Sequence, residues 1–276
     1  MPVKHIVIQG GTDGMGRATG LACLERGDAV TVVGRDEGKG KSFLSAAAEL
    51  GVQERASFIR ADLSLISENE RVITEVKNAY PAVDALVLCA RHYLSRRRET
   101  AEGHEATFAL FYLSRYLLCH GLRDLLEKAE QPVILNVAGP GSPVGEIHWD
   151  DLEFTRGYDG LVAQMQAGKA NDLLGAAFAD KHAADRTRYV LINPGSVSTS
   201  FSGEYDAATQ RHIDMMKRVA KPVAAGIVPI VEALYAPPAE PLSALVEGRP
   251  MSVRDKSFDL HDARRLDECT RELLSR

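Results

Sequence analysis

Six short, β-branched apolar runs alternate with helix-length stretches along the first two thirds of the chain. That alternation restricts the fold more than any single motif. The runs are HIVIQ (His5 to Gln9), AVTVV (Ala29 to Val33), ASFIRADL, DALVLCA, PVILNVA and RYVLINPG. Between them lie RATGLACLER, GKSFLSAAAEL, ENERVITEVKNAY, an uninterrupted helix expected from His104 to Lys128, and another from Gln164 to Lys181. Strands that are apolar at successive positions are covered on both faces, and consecutive parallel strands need a helical crossover. The expectation is an α/β fold with one doubly wound parallel sheet, in a single domain over residues 1–276. Beyond the sixth strand, YAPPAEP (Tyr235 to Pro241) ends a helix, ALVEGRPMSV is a short segment, and a C-terminal helix is expected over about 262–274. No repeat or low-complexity tract interrupts the pattern.

The first crossover carries chemistry. QGGTDGMGRATG places Gly10, Gly14 and Gly16 between strand one and its helix. Glycines there allow a tight turn and let a pyrophosphate approach backbone N–H groups at a helix N-terminus. Thr12, Asp13 and Met15 are the other residues of that turn in reach of a dinucleotide. In such Rossmann-type sheets the end of strand two selects the nucleotide: an acid there binds ribose hydroxyls, an arginine accepts a 2′-phosphate. Here VVGRDEG puts Gly34 where the acid would stand and Arg35 next, so NADP(H) is favoured over NAD. Asp36 is expected to start the following helix. Asp62, with Leu63, ends strand three on the adenine side, with a turn residue as the alternative reading.

At 45% apolar and 26% charged residues, with net charge −5, the chain has no basic excess for nucleic acid or anionic membrane. No stretch reaches the ~20 apolar residues of a membrane span. The opening MPVKHIVIQGG has no signal-peptide pattern, and Cys23, Cys89, Cys119 and Cys269 lie apart in apolar settings. Buried thiols in a reducing cytoplasm are expected. SRRRE (Arg96 to Arg98) is expected to be a solvated loop. HWDD (His148 to Asp151) is expected to be a polar loop rather than a metal site, and no metal is expected anywhere.

With these motifs in order, nearly the whole chain resembles the short-chain dehydrogenase/reductase family, in its retinol-dehydrogenase-like branch. The resemblance rests on Gly10-x-x-x-Gly14-x-Gly16, Asp62, LVLCA at the end of strand four, Lys169, NPGSVST (Asn193 to Thr199) and the closing ARRLDECTRELL. It implies that Cys89 and Ala90 line the cofactor cleft, that Pro194, Gly195 and Val197 pack on a nicotinamide, and that Thr199 bonds its carboxamide. It implies an active serine after strand five, where Ala138 and Gly139 stand. A helix asparagine falls on Phe111, and a tyrosine falls on Met165. Lys169 alone matches, with the ribose hydroxyls as its implied partners and a solvated helix lysine as the alternative.

Losing an acid worth about 10²- to 10⁴-fold leaves ordinary ketone reduction slow. Substitutes to consider are Arg91 and Tyr93 beyond strand four, Ser142, Tyr158, Gln164 and Gln166. Arg91 is the one to watch, since a fixed cation can stabilise an oxyanion or hold an anionic substrate, with a surface arginine as an equal alternative; Tyr93 and Tyr158 fit packing or lid roles better. Gly139, Met165, Tyr93 and Phe111 are expected to line the substrate pocket. A lid of that pocket is expected over about 197–222, a stretch that contains the paired Met215 and Met216, with a surface helix as the alternative, and Trp149 is expected to anchor a substrate-side loop.

An oxidoreductase acting on an imine, an activated alkene or a carbonyl is the leading expectation. The alternatives are a catalytically silent NADP-binding subunit or regulator, and a non-redox cyclase or isomerase. A small-molecule substrate is expected in the first case. A homodimer through the helices after strands four and five, or a heteromer with an active homologue, remains open.

Overall fold

The computed structural model describes residues 3–275. The strands are β1 (His5–Gln9), β2 (Ala29–Gly34), β3 (Ala56–Arg60), β4 (Ala85–Leu88), β5 (Tyr93–Leu94), β6 (Val133–Val137), β7 (Arg188–Asn193), β8 (Gly203–Glu204), β9 (Leu242–Val246) and β10 (Arg249–Met251). All except β5 and β8 join one eight-stranded sheet in the order β3-β2-β1-β4-β6-β7-β9-β10. Its neighbours run parallel apart from β10 against β9. The chain steps outward from β1 to β3, then returns to place β4 on the other side of β1. Ligands in open α/β sheets bind at such a reversal, outside the carboxyl ends of the strands.

The first helices are α1 (Gly14–Glu25), α2 (Glu37–Glu49) and α3 (Ile66–Ala79). Alternation along β1 divides the core. Ile6 and Ile8 pack with Cys23 and Leu24 of α1, Phe43 of α2 and Ile230. Val7 faces the opposite layer, with Val72 and Val76 of α3, Leu118, Leu173 and Leu266. Asp36 caps α2 as expected, accepting from the Lys39 N–H at 2.9 Å.

The helix expected from His104 to Lys128 is broken. Its segments are α4 (Ala106–Phe108), a π-turn over Ala109–Leu113, α5 (Ser114–Gly121) and, beyond Leu122, α6 (Arg123–Leu126). Within the π-turn the Asn171 side-chain amide donates to the Phe111 carbonyl at 2.7 Å, a side-chain bond inserted at the irregular stretch. The second expected helix begins earlier, as α7 (Gly160–Lys181), because Asp159 accepts from Leu161 and Val162 N–H.

Three more helices follow: α8 (Ala207–Val219), α9 (Val223–Gly226) and α10 (Val228–Tyr235). The ALVEGRPMSV segment is part of the sheet, with β9 and β10 joined at Glu247 and Gly248, both at positive φ. The last helix, α11 (Leu260–Leu274), is capped by Asp259 and packs along α7. Trp149 packs on the core under the Arg265 guanidinium, 4.1 Å from the ring centroid. All four cysteines are free, but Cys89 and Cys269 are half-buried where burial was expected. Among the described residues no helix is long and apolar enough to cross a membrane.

Candidate functional site

The turn after β1 is held too tightly for side chains. Gly10 has φ +74°, and a Cβ on it would lie 2.7 Å from the Ala90 backbone at the end of β4. A Cβ on Gly16 would strike the Gly10 carbonyl, so the turn folds directly into α1. Gly14, also at positive φ, opens α1. Its amide is capped by the Asp13 carboxylate at 2.7 Å, and Asp13 is ion-paired with Lys39. Desolvation opposes the Asp13 charge, yet bonds from Lys39, Ser200 and Gly14 keep its carboxyl below the usual range. Thr199 lies over this turn, its methyl 3.3 Å from where a Gly14 Cβ would stand.

The Thr12 hydroxyl lies 2.6 Å from the Cβ position of Gly34, so an acid at the end of β2 would have no room there. Arg35 is exposed and, among the described residues, has no carboxylate partner. Lys39 is the second cation on this rim. Asp62 folds back on its own turn, accepting from the Ser64 N–H at 3.1 Å and hydroxyl at 2.7 Å, and Leu63 is buried beside it. Met15 packs against the core beneath the turn.

The carboxyl ends of β4 and β6 are tied together by a residue absent from the sequence expectations. Arg115 of α5 is fully buried and donates to the Val137 and Ala90 carbonyls at 3.0 Å each, and to the Asn136 side chain. Among the described residues no carboxylate pairs with it, and burial holds its pKa down at about 10. A lone arginine in the apolar run FALFYLSRYLL was the available signal. Beside it, Gln9 bridges the Ala90 N–H at 3.1 Å to the Ser114 hydroxyl at 2.8 Å, which donates in turn to Asn69. Cys89 sits at this floor as an inert thiol, pushed up to about 12 by burial.

Arg91 projects from the same strand end. It is open to solvent yet surrounded by enough protein that desolvation lowers its pKa. Its guanidinium lies 5.3 Å from the centroid of the buried Phe111 ring, and that of Arg115 lies 4.6 Å from the same centroid. Tyr93 stacks on Tyr205, with centroids 5.9 Å apart, where β5 pairs with β8. The other proposed substitutes are engaged in the fold. Tyr158 donates to the Leu94 carbonyl, Ser142 to the Val144 carbonyl, Gln164 to the His92 carbonyl and Gln166 to the Leu152 carbonyl.

Beyond β6, Gly139 has nothing within 4 Å of its Cβ position. Met165 is half-buried, with the Gly145 backbone close against its carbonyl. One turn on, the Lys169 amine donates to the Lys256 carbonyl at 3.0 Å, so the C-terminal segment reaches this face of α7. Asp172 follows, a second residue the sequence reading missed. It is 1% exposed, and one oxygen accepts from the Gly141 N–H at 2.9 Å. The other oxygen is buried without a partner.

Burial raises the Asp172 carboxyl to about 7, against the pull of Gly141 and Lys169. The folded state therefore holds this proton after the unfolded chain has lost it. Stability conferred by that proton is fully present below about pH 4 and is lost as pH rises through about 7. Asp172→Asn should melt above the wild type at pH 8, with the gap closing toward pH 4. Thermal melts across that range check it, and a gap independent of pH would contradict it.

Pro194 and Val197 are buried after β7, and Gly195 has φ +78°, with the Glu247 carboxylate against it. Over the expected lid, α8 buries only Ile213. Met215 is 59% exposed, which fits the alternative reading of this stretch as a surface helix. SRRRE is a solvated loop as expected, with Arg96 and Arg98 exposed; Arg97 donates to the Glu153 carbonyl and pairs with Glu99, and Arg98 pairs with Glu204.

Residues 4–150, more than half of the chain, match the family model for short chain dehydrogenases. An uncharacterized oxidoreductase of Saccharomyces cerevisiae is 30% identical over 71% of this chain and 62% of its own length. Human retinol dehydrogenase 14 is 25% identical over 71% of this chain and 62% of its own length. The chain thus spans about three fifths of the length of these curated relatives. A short chain dehydrogenase from Escherichia coli CFT073, solved in complex with NADPH, superposes with a TM-score of 0.65 at 16% identity, covering 88% of this chain and 96% of that one. Turn, sheet order and sequence match agree: the chain belongs to the short chain dehydrogenase family.

Proposed function

We propose that the protein is an NADP(H)-dependent oxidoreductase that transfers hydride to an imine, activated alkene or carbonyl of a small molecule without a tyrosine acid. The observation that carries this reading is Arg35, left without an acid beside Gly34 and the glycine turn. Supporting it, a structurally similar dehydrogenase was solved with NADPH. The N–H groups of Met15 and Gly16 would take the pyrophosphate at the start of α1, with Lys39 neutralising the Asp13 that caps Gly14. Arg35 would take the 2′-phosphate in a bidentate geometry. Asp62 and Leu63 would face the adenine, Cys89 and Ala90 the floor of the cleft, and Pro194, Gly195, Val197 and Thr199 the nicotinamide end. Lys169 would exchange the Lys256 carbonyl for ribose hydroxyls.

When bound, the reduced nicotinamide supplies the hydride. The protein contributes position and charge. Met165 has no proton to give, and Gly139 has no hydroxyl to aim at a developing oxyanion. An iminium carbon accepts hydride without forming an alkoxide, so it does not need either group. For an acceptor that does develop negative charge, Arg91 is the cation at hand.

Arg35→Ala should weaken NADPH binding by about 10- to 100-fold, the loss of charge-assisted bonds worth roughly 1.5–3 kcal/mol. NADH affinity should change less than twofold. Calorimetric titration of both nucleotides into both proteins reads this directly. Equal NADPH affinity in the two proteins would remove Arg35 from the cofactor site.

A further inference from the structure

The carboxyl end of β4 carries two guanidinium groups, and among the described residues no carboxylate pairs with either. Arg115 forms the floor, bonded only to carbonyl oxygens, with its Nε buried and unpartnered. Arg91 lies at the mouth, with Phe111 between them in the sense that both guanidinium groups contact its ring. Among the described residues neither arginine has an ion-pair partner. The carboxylates on the surrounding loops are committed elsewhere. Glu204 pairs with Arg98, Asp206 caps α8, Glu105 caps α4, and Asp62 closes on Ser64. Charge left uncompensated raises the local concentration of anions. A guanidinium held against an aromatic face keeps a planar fork free for a carboxylate.

The rim supplies the second half of the recognition. Leu161 and Val162, at the start of α7, are 54% and 40% exposed, and Val144 on the loop after β6 is 55% exposed. The Gly160 backbone lies against the Leu94 carbonyl, so the exposed leucine and valine stand next to the β5 edge that Arg91 leads into. Tyr93 and Tyr205 form an aromatic wall on that edge.

We infer that the substrate is an anion with an apolar body, its carboxylate held by Arg91 over Phe111 and its apolar part against the Leu161, Val162 and Val144 rim. The inference rests on the hydride-transfer reading for the word substrate alone; the anion site itself is defined by the arginines. It deepens that reading by excluding neutral ketones and alcohols of the same size as preferred ligands. The same cation could instead serve the phosphates of a dinucleotide, and the test separates the two.

Benzoate and benzamide, a carboxylate and its neutral isostere, are titrated calorimetrically into the full-length wild type, Arg91→Gln and Arg91→Lys. NADPH is titrated into the same three proteins. The wild type should bind benzoate at least tenfold more tightly than benzamide. Arg91→Gln should lose that preference and Arg91→Lys should keep part of it, while NADPH affinity stays within twofold throughout. A benzoate preference that survives Arg91→Gln overturns the inference. So does a loss of NADPH affinity in Arg91→Gln, which would assign Arg91 to the dinucleotide's phosphates. A chain that never transfers hydride would leave these affinities unchanged, so the anion site and the reductase reading fail separately.

Discussion

Arg115→Met will lower the melting temperature by about 10 °C, because stranding buried carbonyl acceptors costs about 1–3 kcal/mol each and each kcal/mol shifts a chain of this size by about 2–4 °C. Methionine keeps most of the buried volume, so the loss is electrostatic rather than a cavity. Removing the guanidinium relieves the cost of burying a cation, and where a whole ion network is replaced that relief can cancel the loss. Here it cannot cancel. Two of the three acceptors, the Ala90 and Val137 carbonyls, are main-chain groups at the ends of β4 and β6 and stay behind whatever residue occupies position 115. A stranded buried acceptor costs about 1–3 kcal/mol. Lysine at this position could reach fewer of them and should fall between. A melting temperature within 2 °C of wild type would mean that water or another donor fills the gap, and Arg115 would not be the tie described here.

Restoring the missing acid gives the second large effect. The double variant Gly139→Ser, Met165→Tyr should reduce a plain ketone at least 10²-fold faster than wild type, since a positioned acid contributes about 10²- to 10⁴-fold and an oxyanion donor about 3–4 kcal/mol. The geometry admits both side chains. Nothing lies within 4 Å of a Cβ at Gly139, and Met165 is half-buried one helical turn before Lys169. Each single variant should gain much less, because groups that act as a unit are not additive. Reduction of an imine should change little in the double variant, as its transition state builds no alkoxide. If the ketone rate stays at the wild-type level in a folded double variant, the lost side chains are not what limits the wild type.

The sheet was legible because each parallel strand is an apolar run bounded by turn residues, and helix starts were legible where a capping carboxylate precedes them, as at Asp36. The helix after β4 was not. Its apolar residues keep a continuous pattern through Ala109–Leu113, and the π-turn there is joined by a side-chain bond from Asn171, sixty positions away in the chain. The last two strands were missed because ALVEGRPMSV is short and partly exposed, and its pairing with β7 is a tertiary fact. At the site, Arg91 stood out as a charge directly after an apolar strand. Arg115 and Asp172 did not, because polar residues on a helix ordinarily mark its wet face. Only packing shows that both are turned inward, one against strand-end carbonyls and the other beneath the Gly141 amide. The paired methionines of α8 did not decide between a lid and a surface helix, and an amphipathic helix with little buried surface leaves Met215 in solvent.

The most direct test of the central claim is deuterium transfer from NADPH labelled at C4 of the nicotinamide, on the hydride-donating face. A cyclic imine, a conjugated enone and a plain ketone would each be offered to the wild type, and again in carboxylate-bearing form, with products read by mass spectrometry. The account predicts deuterium at carbon in the product of the carboxylate-bearing imine or enone, and little in the ketone product unless Ser and Tyr are restored. No deuterium in any product, from folded protein that binds NADPH, would contradict it.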